Sequence, residues 1–166
     1  MPAVDCLVVH EGRLLMMHPS EASTPATNLT MLGGPVGHGE SPLEACLRRV
    51  AEETGLHIEP SCAAAIFETT PEATDFRLAF VAEAPARELR SLRPGSLEWV
   101  TLTELSERAD ITELDRLIIP KVLASGVPLA IFIDLDTTHD PITRTLREIS
   151  TIGLARLSPL VFAVTT

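Results

Sequence analysis

The residues predict an α/β protein, and three observations carry that prediction. Two apolar, strand-like runs open the chain with a turn signal between them. A glycine loop then enters an amphipathic helix with clear start and stop residues. Further strand-like runs and a second capped helix follow, so strands and helices interleave along one chain.

Ala3–His10 and Arg13–His18 are the opening runs, and Glu11-Gly12 between them predicts a β-hairpin. His10 and His18 fall at strand ends, where an imidazole most simply serves a surface or structural role. Pro19 to Thr30 is rich in Ser, Thr, Ala and Pro and reads as a loop, either a ligand-site rim or a plain connection. Thr30–Leu32 is a short strand that leads into Gly33 and Gly34.

The helix that follows is bounded on both sides. Ser41 can cap its free N–H groups, Pro42 suits the first helical position, and Glu44 can complete a capping box. Gly55 supplies the left-handed residue that ends many helices. Leu43, Cys46, Leu47, Val50 and Thr54 recur at helical spacing and form a stripe to bury. Arg49, Glu52 and Glu53 share a neighbouring face. Two adjacent carboxylates beside a glycine loop could hold a divalent cation, which takes oxygen ligands; the same pair is also what a solvated acidic helix end looks like.

Beyond this helix, His57–Thr69 and Asp75–Glu83 are strand-like runs split by Thr70-Pro71, the second alternating in Phe76, Leu78 and Phe80. Ala84–Gly95 reads as a loop whose Arg87, Arg90 and Arg93 are either phosphate contacts or solvated charges. Asp110 and Glu113 mark another capped helix with Leu114, Leu117 and Ile118 inward, which Pro120 should kink or end. Leu129–Leu135 predicts a strand, Ile142–Ser150 a helix opened by Asp140-Pro141, and Leu160–Thr165 a final apolar run. Asp134, Asp136, His139 and Asp140 are explained more simply by a strand end and a helix cap than by a metal site.

The 166 residues suit one domain, with a core over about 1–126 and a C-terminal extension over about 127–166. A formal charge of −10 argues against broad nucleic-acid binding, which needs a basic surface, but leaves room for a small nucleotide whose charge a metal offsets. Arg is used almost throughout in place of Lys, Lys121 being the one lysine. Cys6, Cys46 and Cys62 lack framework spacing and point to reduced cytoplasm. Cys46 belongs to the core-facing stripe. The N-terminus has no signal-peptide pattern, and the apolar run Val122–Leu135 is too short and broken to span a bilayer.

The stretch Gly33–Leu56, GGPVGHGESPLEACLRRVAEETGL, resembles the Nudix box, G-x5-E-x7-R-E-U-x-E-E-x-G-U with U a bulky aliphatic residue. Gly34, Glu40, Arg48, Val50, Glu52, Glu53, Gly55 and Leu56 fall on pattern positions. Ser96–Leu105, SLEWVTLTEL, is similar to a later family segment in which a Glu-Trp strand runs into an acidic-leucine turn. The resemblance implies an α/β/α sandwich with a mixed sheet. It also implies a Mg²⁺- or Mn²⁺-dependent hydrolase of a small nucleoside diphosphate derivative, while the charge and the broken apolar run argue for no nucleic-acid polymer and no membrane as partner. By the same correspondence Glu53 leads the metal ligands, Glu52 assists, and the Gly33 carbonyl joins them. Gly34 and Arg49 would face the substrate, and Glu40 and Arg48 would brace the loop. Glu88 or Glu98 is a candidate further carboxylate, and His38, in the box loop, borders the site.

One position departs from the pattern: Arg49 stands where the family has its first glutamate. Its guanidinium can pair with Glu52 and Glu53 and cannot act as a base. Three accounts stay open: catalysis with a base from elsewhere, a different metal arrangement, or a domain that binds a nucleotide metabolite as a sensor or scaffold. The extension could add strands, cover the core or form a homodimer contact.

Overall fold

The computed structural model describes residues 2–18, 28–90, 96–136, 138 and 143–152. One mixed sheet runs through them, in the order β6-β2-β3-β1-β5-β4-β7-β8. The elements in chain order are β1 (Ala3–His10), β2 (Arg13–Met17), β3 (Thr30–Pro35), α1 (Pro42–Thr54), β4 (Ser61–Thr69) and β5 (Thr74–Glu83), followed by β6 (Leu97–Thr101), α2 (Leu102–Glu107), α3 (Glu113–Ala124), β7 (Leu129–Asp136) and β8 (Thr143–Thr151). The β1–β5 and β4–β7 pairs are parallel and the other pairs antiparallel.

Strand periodicity sorts the core into two layers. On β1, Val4, Cys6 and Val8 point to the α1 side and pack with Ala45, Cys46 and Val50. Leu7 points the other way, into a second cluster with Leu105 of α2 and Ile118, Ile119 and Val122 of α3. Helices on both faces of a mixed sheet make the α/β/α sandwich.

Several sequence expectations need correction. On α1 the buried residues are Pro42, Ala45, Cys46, Val50 and Thr54, while Leu43 and Leu47 are 43% and 37% exposed. Both stripes share Cys46, Val50 and Thr54, so the apolar pattern alone fits either. Small Ala45, fully buried, lets the helix lie close to the sheet. The strand expected from His57 begins at Ser61, after Pro60, which has no N–H to give a ladder.

Helix α3 is capped by Thr112 rather than Asp110, and it runs through Pro120 to Ala124. Ile118, Ile119 and Val122, buried on both sides of the proline, hold the last turn against the sheet, and Leu117 is exposed. The acidic-leucine segment after β6 forms the short helix α2, with Thr101 and Glu104 in a capping box.

The largest correction lies in the extension. Of the residues expected as a helix over Ile142–Ser150, those from Thr143 on form strand β8, antiparallel to β7, and Ile142 lies outside the described residues. The open edge of β7 offers a row of unsatisfied backbone groups, and pairing with it overrides local helix preference. A register shift between Phe132 and Ile133 brings Leu146 and Ile149 over the α3-side core, and Arg147 over the Phe132 ring at 5.5 Å. His139, Asp140-Pro141, Arg93, most of the Pro19–Thr30 loop and the run Leu160–Thr165 lie outside the described residues. No helix among the described residues is long and apolar enough to cross a membrane.

Candidate functional site

The site is built where β3 meets α1. Gly33 pairs with Asp5 of β1 and Gly34 with Val4. A Cβ at Gly33 would sit 2.2 Å from the Val4 carbonyl oxygen, so only glycine permits this approach of the two strands. Helix α1 starts with the full capping box: Glu44 N–H donates to Ser41 Oγ at 3.3 Å and Ser41 N–H to Glu44 Oε2 at 2.8 Å. It ends at Gly55, in the left-handed conformation with φ 71°, whose N–H donates to the Ala51 carbonyl. These caps fix the helix's ends, and with them the side chains on the face beside the loop.

Arg48 grips Glu40 through two bonds, Nε to Oε1 at 2.7 Å and Nη2 to Oε2 at 2.9 Å. The Gly37 N–H also donates to Glu40 Oε2, at 2.7 Å. The Arg48 bonds first, then the Gly37 bond, hold the Glu40 carboxyl down at about 2. This forked contact ties the loop to the helix eight residues on.

Arg49 does something the sequence did not predict. It lies near Glu52, Nη1 to Oε2 at 3.7 Å, but makes no ion pair with Glu53. Its Nε donates instead to the Gly33 carbonyl at 2.9 Å. Glu52, exposed, also accepts from Arg48 Nη1 at 3.3 Å. Glu53 is half-buried and has no ion-pair partner among the described residues.

The ligand set that the resemblance implies for a divalent ion therefore does not fit as it stands. Of Gly33 carbonyl, Glu52 and Glu53, the first two already face one guanidinium. A divalent ion about 4 Å from that fixed charge meets a repulsion of about 8 kcal/mol at an effective dielectric of about 20, and about 2 in bulk water.

Of the remaining candidates, His38 and Glu88 are exposed. Glu98 is engaged elsewhere: it pairs with Arg108 Nη1, and its Oε2 lies 3.2 Å from His18 Nε2. Arg108 also pairs with Asp110, Nη2 to Oδ2 at 2.6 Å. Asp134 pairs with Arg147 at 3.2 Å.

The sequence reading missed a charged cluster one strand away. Asp5, 9% exposed on the α3 side of β1, has its Oδ2 3.0 Å from Arg77 Nε, without the alignment of a hydrogen bond. Arg77 Nη2 lies 3.5 Å from Glu68 Oε1, which Arg144 of β8 approaches at 3.8 Å. Burial pushes the Asp5 carboxyl up to about 6, against the attraction of Arg77. The available signal was a carboxylate inside the apolar run VDCLVV.

A family model for the NUDIX domain matches residues 1–122, and the chain belongs to that family. Among solved structures it is similar to a mutator MutT protein from Bacillus halodurans, at 23% identity over 87% of this chain and 96% of that one, with a TM-score of 0.68. A MutT protein from Methanosarcina mazei Go1 matches at 26% identity over 73% and 91%, TM-score 0.60. An ADP compounds hydrolase matches at 20% identity over 74% and 70%, TM-score 0.58. Strands β7 and β8 lie beyond the matched residues and extend the sheet at its edge.

Proposed function

We propose that this chain binds a nucleoside diphosphate derivative beside α1 and the Gly33–Gly34 loop, with hydrolysis silenced or slow. The observation that carries this reading is the bond from Arg49 Nε to the Gly33 carbonyl. Glu40 and Arg48 are the proposed brace of the loop, and Gly34 and Arg49 the proposed ligand-facing residues. Three free cysteines suit the cytoplasm as the place of action.

A second reading is a Mg²⁺- or Mn²⁺-dependent pyrophosphohydrolase in which Glu53 and Glu52 supply the carboxylates. The specific point in its favour is Glu53, which keeps its carboxylate out of any ion pair among the described residues. When bound, such an ion would offset charge developing on the diphosphate oxygens. The chain's own contribution is to fix the loop, through Glu40 and Arg48, beside that carboxylate.

Product release from a panel of nucleoside diphosphate derivatives with Mg²⁺ or Mn²⁺ separates the two. Wild type is compared with Glu53→Gln and Arg49→Glu. No turnover in wild type but turnover gained by Arg49→Glu supports the binding reading. Metal-dependent turnover in wild type, lost in Glu53→Gln, overturns it in favour of the hydrolase.

A further inference from the structure

We infer that Arg49 is a resident cation that replaces the divalent ion, so that the ligand is taken up as a metal-free diphosphate anion. The inference rests on the diphosphate-binding reading and deepens it by naming the ionic species recognised.

Five observations converge. The guanidinium already holds the Gly33 carbonyl and lies beside Glu52, two of the three groups from which a metal site would be made. Its donor set is only partly used: Nη2 has no protein partner among the described residues, and the side chain is 26% exposed. A guanidinium with spare N–H groups matches phosphate oxygens in a forked geometry.

The loop lies directly against this side chain. Gly34 has φ 151°, and a Cβ there would lie 3.0 Å from Arg49 Nε and 3.2 Å from Nη2. A side chain at 34 would require the guanidinium to shift by a few tenths of an ångström, so glycine leaves the backbone close against it. The neighbouring arginine is not an equivalent donor, because Glu40 takes Arg48 Nε and Nη2 in a forked pair. In a chain of net charge −10, an anionic ligand needs a local fixed positive charge, and Arg49 supplies it without a metal.

Two titrations test this on the full chain. Mn²⁺ alone, followed by electron paramagnetic resonance, reads metal binding without any nucleotide. ADP, followed by calorimetry in EDTA and in Mg²⁺, reads ligand binding. Wild type is expected to show no saturable Mn²⁺ binding at millimolar metal, and to bind ADP within twofold equally in both buffers.

Arg49→Glu should gain Mn²⁺ binding and make ADP binding dependent on Mg²⁺. Arg49→Met, with its fold checked by circular dichroism, should lose at least tenfold in ADP affinity in EDTA. Saturable Mn²⁺ binding by wild type, or a tenfold gain in ADP affinity with Mg²⁺, overturns the inference. Failure of every protein to bind ADP in either buffer refutes the diphosphate reading and the ligand half of the inference. The Mn²⁺ titration decides the resident-cation half by itself.

Discussion

Asp5→Asn is a perturbation whose effect can be worked through from the buried cluster. Asp5 faces Arg77 from β5, Glu68 from β4, Asp115 from α3 and Arg144 from β8. Desolvation outweighs the Arg77 attraction and raises its carboxyl from 3.8 to about 6. A carboxyl whose folded value lies above its unfolded one contributes stability that is fully present below the unfolded value and lost as pH rises through the folded value. With these two values, the raised carboxyl costs the fold about 3 kcal/mol at pH 7.5 and about half of that at pH 5. Asparagine keeps the shape and does not titrate. Wild type should therefore gain about 1–2 kcal/mol relative to Asp5→Asn when pH falls from 7.5 to 5. Urea unfolding followed by Trp99 fluorescence, run on both proteins at both pH values, reads this difference. Every other titrating group is common to the two chains and cancels. Parallel pH dependence in the two proteins would refute the argument that burial, rather than the Arg77 pair, controls Asp5.

Two further predictions concern the frame of the site. Glu40→Gln weakens the forked contact with Arg48 and should lower stability at pH 7 by about 1 kcal/mol, a charged hydrogen bond discounted for solvent. Glu40 is held at about 2, so its contribution is present above the ordinary value of 4.5 and lost as pH falls toward 2. Melts at pH 7, 4 and 2.5 should show the gap between wild type and Glu40→Gln closing at the acid end. Gly55→Ala forces a side chain into φ 71°, at about 1–2 kcal/mol, and brings a Cβ to 3.0 Å from Arg90 Cβ. Thermal unfolding should show the midpoint falling by about 2–8 °C.

Where a feature was set by neighbours in sequence, it was readable in advance. The caps of α1 need only Ser41, Glu44 and Gly55, and the hairpin needs only Glu11-Gly12 between two apolar runs; both are present in the fold. Features set by distant partners were not readable. Residues 143–151 have no alternation strict enough to reject a helix, and the edge of β7 makes them a strand. Thr112 caps α3 by accepting from the Asp115 N–H, while the Asp110 carboxylate is paired with Arg108. Asp5 stood out in an apolar run, but Arg77 lies far along the chain and only the parallel β1–β5 pairing brings it near.

Arg49 is the sharpest instance of this division. Its spacing on α1 predicted partners at Glu52 and Glu53, since i, i+3 and i, i+4 neighbours share a face. The partner it bonds most directly is a main-chain carbonyl, Gly33, sixteen residues earlier. A carbonyl is carried by every residue and leaves no mark in sequence, so this contact could come only from the fold. It also changes what the substitution means. Loss of one glutamate alone would have left the Gly33 carbonyl, Glu52 and Glu53, the set that the resemblance implies, open to a metal. An arginine that bonds the loop carbonyl and approaches Glu52 engages two of these three groups as well, so the proposed effect of a carboxylate at 49 is both to add a ligand and to release those two. That is why Arg49→Glu, a single replacement, is expected to change metal binding from absent to saturable rather than by a small increment.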